Sequence, residues 1–69
     1  MKKIIYPELI GEIAKHGESN KSIAKLLGIT DVSVGRKLSG KSKWNISEIE
    51  ILCNFFDKDY YELFKTNNS

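Results

Sequence analysis

The chain predicts an all-α fold of five short helices, and three observations carry that reading. Apolar residues recur at helical spacing in five separate stretches. Residues that start or stop helices stand at the junctions between them. The intervening connections are only a few residues long, so the helices must pack as one compact unit.

Met1–Ile5 reads as extended or frayed. Pro7 then suits the first turn of helix 1, about residues 7–16, where a missing N–H costs nothing. Leu9, Ile10 and Ile13 form its apolar stripe. Glu8 and Glu12 stand in its early turns, Lys15 and His16 at its end, and Gly17 stops it. Helix 2 covers about 20–27, with Ile23, Ala24 and Leu27 on one face and Gly28 free to take the positive φ of a sharp stop. Ile29 plugs the turn, and Thr30 can cap helix 3, about 31–38, whose inner face is Val34 and Leu38. Gly40 ends that helix.

The loop Ser39–Asn45 is polar and basic apart from Trp44. Ser47 with Glu50 has the spacing of a capping box and would open helix 4 over Glu48–Phe56. Ile49, Leu52, Cys53 and Phe56 share one face of it, broadened by Ile51 and Phe55. After Asp57-Lys58, Asp59 can cap a last helix, with Glu62 three residues on and Tyr60, Leu63 and Phe64 inward. Phe55, Phe56 and Phe64 are expected in the core. Trp44 either folds over the core beside Ile46, the preferred reading, or stays exposed for a partner. Tyr60 and Tyr61 are adjacent on a helix and cannot both face inward. One helix-turn-helix domain over residues 1–69 is expected, ordered over about 5–65, with a polar tail at 66–69.

Composition narrows the function. Sixty-nine residues with 41% hydrophobic content suit one small folded domain and leave no room for a deep, water-excluded active site. The single cysteine, Cys53, rules out an intramolecular disulfide and a cysteine-rich zinc site, and its apolar neighbours make it a packing residue. No apolar run reaches transmembrane length and Met1-Lys2-Lys3 leads into no signal-peptide core, so a cytoplasmic protein without membrane contact is expected. The only histidine, His16, reads as a surface or capping residue, and the carboxylates as spread over exposed helix faces. No phosphate loop or metal-ligand spacing is present. Neither an enzyme nor a cofactor is expected.

Charge is placed unevenly. Val32–Ser47 holds four basic residues (Arg36, Lys37, Lys41, Lys43) and no acid, whereas Glu48–Ser69 holds five acids and two lysines. The basic stretch coincides with a helix, a tight glycine turn and a second, capped helix, the pattern of a helix-turn-helix whose second helix enters the major groove of DNA.

The run Asn20-Lys21-Ser22-Ile23-Ala24-Lys25-Leu26-Leu27-Gly28-Ile29, the block Ser33-Val34-Gly35-Arg36-Lys37-Leu38-Ser39-Gly40-Lys41 and the closing Phe55-Phe56 and Glu62-Leu63-Phe64 resemble the Cro/C1-type helix-turn-helix family. The resemblance covers about residues 6–64 and looks closest to small phage Cro-like regulators, Tyr6-Pro7-Glu8-Leu9 included. It implies a five-helix lambda-repressor-like domain that reads double-stranded operator DNA, as a homodimer at least when bound. By position, it implies phosphate contacts from Asn20, Lys21, Lys37, Lys41, Ser42 and Lys43, and base readout by Asp31, Val32, Ser33 and Arg36. Asp31 and Val32 stand where family members commonly carry Gln, Ser, Thr or Arg, and Gly35 where a stronger helix former is usual.

Two functions follow from this reading. The first is a phage- or prophage-type transcriptional regulator in a lysis/lysogeny-like switch. The second is an antirepressor or modulator that grips a repressor protein through an acidic, aromatic surface at Asp57, Tyr60 and Tyr61.

Overall fold

The computed structural model describes residues 5–66 of the chain. It contains α1 (Pro7–Lys15), α2 (Asn20–Leu27), α3 (Asp31–Leu38), α4 (Ile46–Phe56) and α5 (Tyr60–Leu63). Residues 1–4 and 67–69, most of the expected frayed start and polar tail, lie outside the described residues. The all-α, five-helix class is as expected.

Local chemistry explains the junctions. Pro7 opens α1, and Gly17, in the left-handed region at φ 69°, follows its end. The Ser19 hydroxyl accepts from the Ser22 amide and the Ser22 hydroxyl from the Ser19 amide, closing a capping box on α2. Gly28, at φ 74°, terminates α2, and the Thr30 hydroxyl accepts from the Ser33 amide to start α3. Asp59 accepts from the Glu62 amide at 2.9 Å to start α5.

Five helices contribute to one core. Leu9 and Ile13 of α1, Ile23 and Ala24 of α2, Val34 of α3, Leu52 and Phe56 of α4, and Leu63 with the adjacent Phe64 are all buried. Tyr6, Leu27, Ile29, Leu38, Trp44, Ile49 and Cys53 pack around them. The closest pairing is α2 on α3; α4 packs on α5 and α2, and α5 also on α1.

Several expectations are corrected here. Helix 4 begins at Ile46, and its capping box joins Asn45 to Glu48 instead of Ser47 to Glu50. The earlier box wins because it also takes Glu48 into an ion pair with Lys37. Helix 1 ends at Lys15, with His16 as its C-cap. Phe55 is 43% exposed, because it is offset about 100° from Phe56 around α4 while the Leu52–Phe56 stripe faces the core. Tyr60 and Tyr61 both face outward, Tyr60 half-exposed and stacked on Phe64. Trp44 does cover the core, in edge contact with Phe64 and Tyr6, but not beside a buried Ile46, which is largely exposed.

Nor are all the carboxylates on exposed faces: Glu12 and Glu48 are buried. Glu12 meets His16 Nε2 at 3.1 Å, Lys15 at 3.5 Å and Lys58 at 3.8 Å, so His16, besides capping α1, pairs with a buried carboxylate. Lys58 also reaches Glu8 and Glu62, tying α1 to the start of α5. Burial pushes the Glu12 carboxyl up, but the charges of Lys15 and Lys58 and hydrogen bonds from Lys15 and His16 outweigh it. The carboxyl is held below its ordinary value of 4.5. A depressed carboxylate contributes stability above its unfolded pKa and loses it as pH falls through the folded one. Thermal midpoints should therefore decline below about pH 4.5, and less steeply in Glu12→Gln than in the parent chain. Equal slopes in the two proteins would place the acid sensitivity elsewhere.

Candidate nucleic-acid interface

α3 presents its sides according to the helical repeat of about 100° per residue. Val34 is fully buried and Leu38, one turn on, packs against the core. Val32 and Arg36 are therefore turned outward, and both are exposed, Val32 at 67%. Asp31 is exposed in the first turn, where its charge complements the helix dipole. Ser33 is half-buried, and its hydroxyl accepts from Thr30 Oγ1 at 3.0 Å within the cap. Of the four residues expected to read bases, two form the outward face and two sit beside it.

Gly35 marks where α2 meets α3. A Cβ built there would stand 3.7 Å from Asn20 Nδ2, so the first residue of α2 lies against the middle of α3. Asn20 and Lys21 are both exposed. The contact distance is ordinary, so Gly35→Ala is expected to fit and to raise stability by about 0.5–1 kcal/mol through helix propensity. A lowered thermal midpoint would mean that Asn20 cannot yield.

The loop after α3 folds back onto it. The amides of Lys41 and Ser42 both donate to the Arg36 carbonyl, at 2.9 and 3.2 Å. Lys41 and Lys43 are exposed, and Ser42 is half-buried. Lys37 differs from the other expected phosphate contacts. Its side chain is 14% exposed, and its ammonium donates to Glu48 Oε1 at 2.9 Å and to the Lys43 carbonyl at 3.0 Å. Its charge is committed inside the protein. Nothing in the residue type distinguished it from its basic neighbours, since its partner lies eleven positions on. The Ser19–Ser22 box, which fixes the backbone under Asn20 and Lys21, escaped the sequence reading although its i, i+3 hydroxyl spacing was visible.

On the α4–α5 side, Asp57 is exposed and takes φ 56°; it is the one non-glycine residue with positive φ among those described. Tyr60 and the 85% exposed Tyr61 follow it. A groove lined by Tyr6, Lys43, Trp44, Ile49, Tyr60 and Phe64 runs between this side and the basic loop. Cys53 is half-buried, and burial, with Asp59 nearby, pushes its thiol up, away from the depressed values of reactive cysteines. Among the described residues no three His, Cys, Asp or Glu side chains are grouped to hold a metal ion, and no helix is long and apolar enough to cross a membrane.

The fold is similar to the crystal structure of a transcriptional regulator from Listeria innocua, with a TM-score of 0.79 and 27% sequence identity. The match covers 91% of this chain and 59% of that one, so the chain spans little more than half the regulator's length. No curated protein matches the sequence. Residues 9–69, nearly the whole chain, match the BetR domain. The chain belongs to the BetR domain family.

Proposed function

We propose that this protein is a DNA-binding transcriptional regulator of the Cro/C1 type, working as one helix-turn-helix domain that carries α3 into the major groove of operator DNA. The observation that carries the reading is the outward pair Val32 and Arg36 on α3, with the exposed Asn20 of α2 against the middle of that helix and the loop of the exposed Lys41 and Lys43 bonded to the Arg36 carbonyl. Arg36 pairs with a guanine edge, and Val32 packs on a neighbouring thymine methyl. Asp31 and Ser33 border that contact, with Asp31 placed to accept from a cytosine amino group. Asn20, Lys21, Lys41, Ser42 and Lys43 hold the phosphates, which supplies much of the affinity and its salt dependence. The similarity to a transcriptional regulator adds to this reading.

One such module has a small footprint, so two copies on a pseudo-palindromic site complete the binding unit. The protein acts in the cytoplasm, in a phage- or prophage-type switch, without catalysis or a cofactor. A second reading, an antirepressor that binds a repressor protein, is favoured by the exposed Tyr60 and Tyr61 beside Asp57.

Selection from random duplex DNA at moderate salt separates the two. A two-fold symmetric motif with half-sites about 34 Å apart is the expected result for a DNA reader. Weak, salt-sensitive binding without an enriched motif would overturn that role and leave the repressor-binding one.

A further inference from the structure

We propose that Lys37 is a positioning residue that holds the phosphate-binding loop in its bound shape and itself touches no phosphate. The proposal rests on the DNA-reading function and names a part of that site.

The geometry concentrates three tasks on one ammonium group. It donates to Glu48 Oε1 at 2.9 Å and to the Lys43 carbonyl at 3.0 Å, and lies 5.8 Å from the centre of the Trp44 ring. A lysine ammonium has three donor protons. Two of them have acceptors, and the ammonium also stands over the Trp44 ring. Glu48 Oε1 accepts from the Asn45 amide as well, at 3.0 Å, and the Glu48 amide donates to Asn45 Oδ1 at 2.8 Å. The end of the loop and the start of α4 are thus tied through Lys37 to α3.

The front of the same loop is tied to α3 independently, by the Lys41 and Ser42 amides on the Arg36 carbonyl. Between the two anchors the Lys41 and Lys43 side chains remain exposed. Held this way, the loop reaches DNA with its backbone already ordered, and binding need not order it. A lysine reaching for phosphate from position 37 would have to abandon a nearly buried carboxylate, which costs more than an exposed contact returns.

The experiment measures binding to a short labelled duplex of mixed sequence across a salt series, for the parent chain, Lys37→Met/Glu48→Gln and Lys43→Met. The double variant leaves net charge unchanged, and the glutamine retains an oxygen for the Asn45 amide. It is expected to bind about tenfold more weakly at every salt concentration, with the parental salt slope, because a loosened loop still neutralises the same phosphates. Trp44, the only tryptophan, should at the same time shift its emission to longer wavelength. Lys43→Met is expected to lower the salt slope by about 0.9.

A slope lowered by about 0.9 in the double variant would make Lys37 a phosphate contact and overturn the proposal. Unchanged affinity, or an unmoved Trp44 spectrum, would also overturn it, leaving an ion pair of purely structural importance. A parent chain that binds no duplex would overturn the DNA reading itself, and this inference with it. Should the double variant not fold, the Lys37 ammonium resonance of the parent chain decides. It should stay unmoved on DNA titration while those of Lys41 and Lys43 shift, and movement with them would overturn the proposal.

Discussion

Leu52→Ala is expected to unfold a large part of the protein at room temperature. Leu52 is completely buried in α4, one turn before Phe56, in a core that draws on every helix. Removing a buried leucine side chain costs about 2–5 kcal/mol, the transfer free energy plus the cavity left behind. A single core in a domain below about 70–80 residues rarely supplies more than about 3–5 kcal/mol. The two ranges overlap, so little or no net stability should remain. Denaturant titration followed by far-ultraviolet circular dichroism checks this directly. Phe55→Ala is the control, since that ring is 43% exposed and its loss should cost much less. Equal costs for the two would mean that Leu52 is not a keystone and that the core closes around the cavity.

Arg36→Ala should leave the fold intact and remove the sequence preference at one base pair of each half-site. Its side chain is exposed, so no core contact is lost, and only its backbone carbonyl anchors the loop. An arginine pairing with guanine is worth about 1–3 kcal/mol of discrimination, or roughly five- to 150-fold in affinity at one base pair per half-site. In a parallel selection the guanine at that position should become degenerate while the others persist. Binding to non-specific duplex should change little. Were affinity to fall equally on all sequences, with the salt slope lowered by about 0.9, Arg36 would be a phosphate contact. Base reading would then rest on Val32, Ser33 and Asp31.

The sequence was most legible where a structural decision is local. Gly28 and Thr30 fix the end of α2 and the start of α3 within a few residues of themselves, and both act as expected. Asp59 does the same for α5. At α4 two overlapping boxes, Asn45 with Glu48 and Ser47 with Glu50, obey the same local rule. The choice between them is made by Lys37, which is distant in sequence, so no local rule could make it. The Glu12–His16 pair, by contrast, was readable from its i, i+4 spacing. Its burial was not, because that depends on Lys58 arriving from the far end of α4.

The candidate site divides in the same way. Val34 and Leu38 determine the outward side of α3, and Val32 and Arg36 follow by rotation. The basic stretch from Arg36 to Lys43 was readable as a cluster of positive charge, but which of its lysines is enclosed was not. Lys37, Lys41 and Lys43 are chemically alike, and only three-dimensional packing separates the one that is enclosed from the two that are free to reach a polyanion.

The helix junctions also bear on kinetics. Gly17, Gly28, Gly40 and Asp57 turn the chain through the left-handed region, while Ser19, Thr30, Asn45 and Asp59 cap the helices that follow. Each of these turns can be formed by a few neighbouring residues before distant parts of the chain meet. Chains built mainly from local contacts cross a low folding barrier and fold in about microseconds to milliseconds. A domain of marginal stability that refolds on this timescale spends each excursion to the unfolded state too briefly to find another unfolded copy, so speed protects it where a larger barrier to unfolding would protect a slower protein.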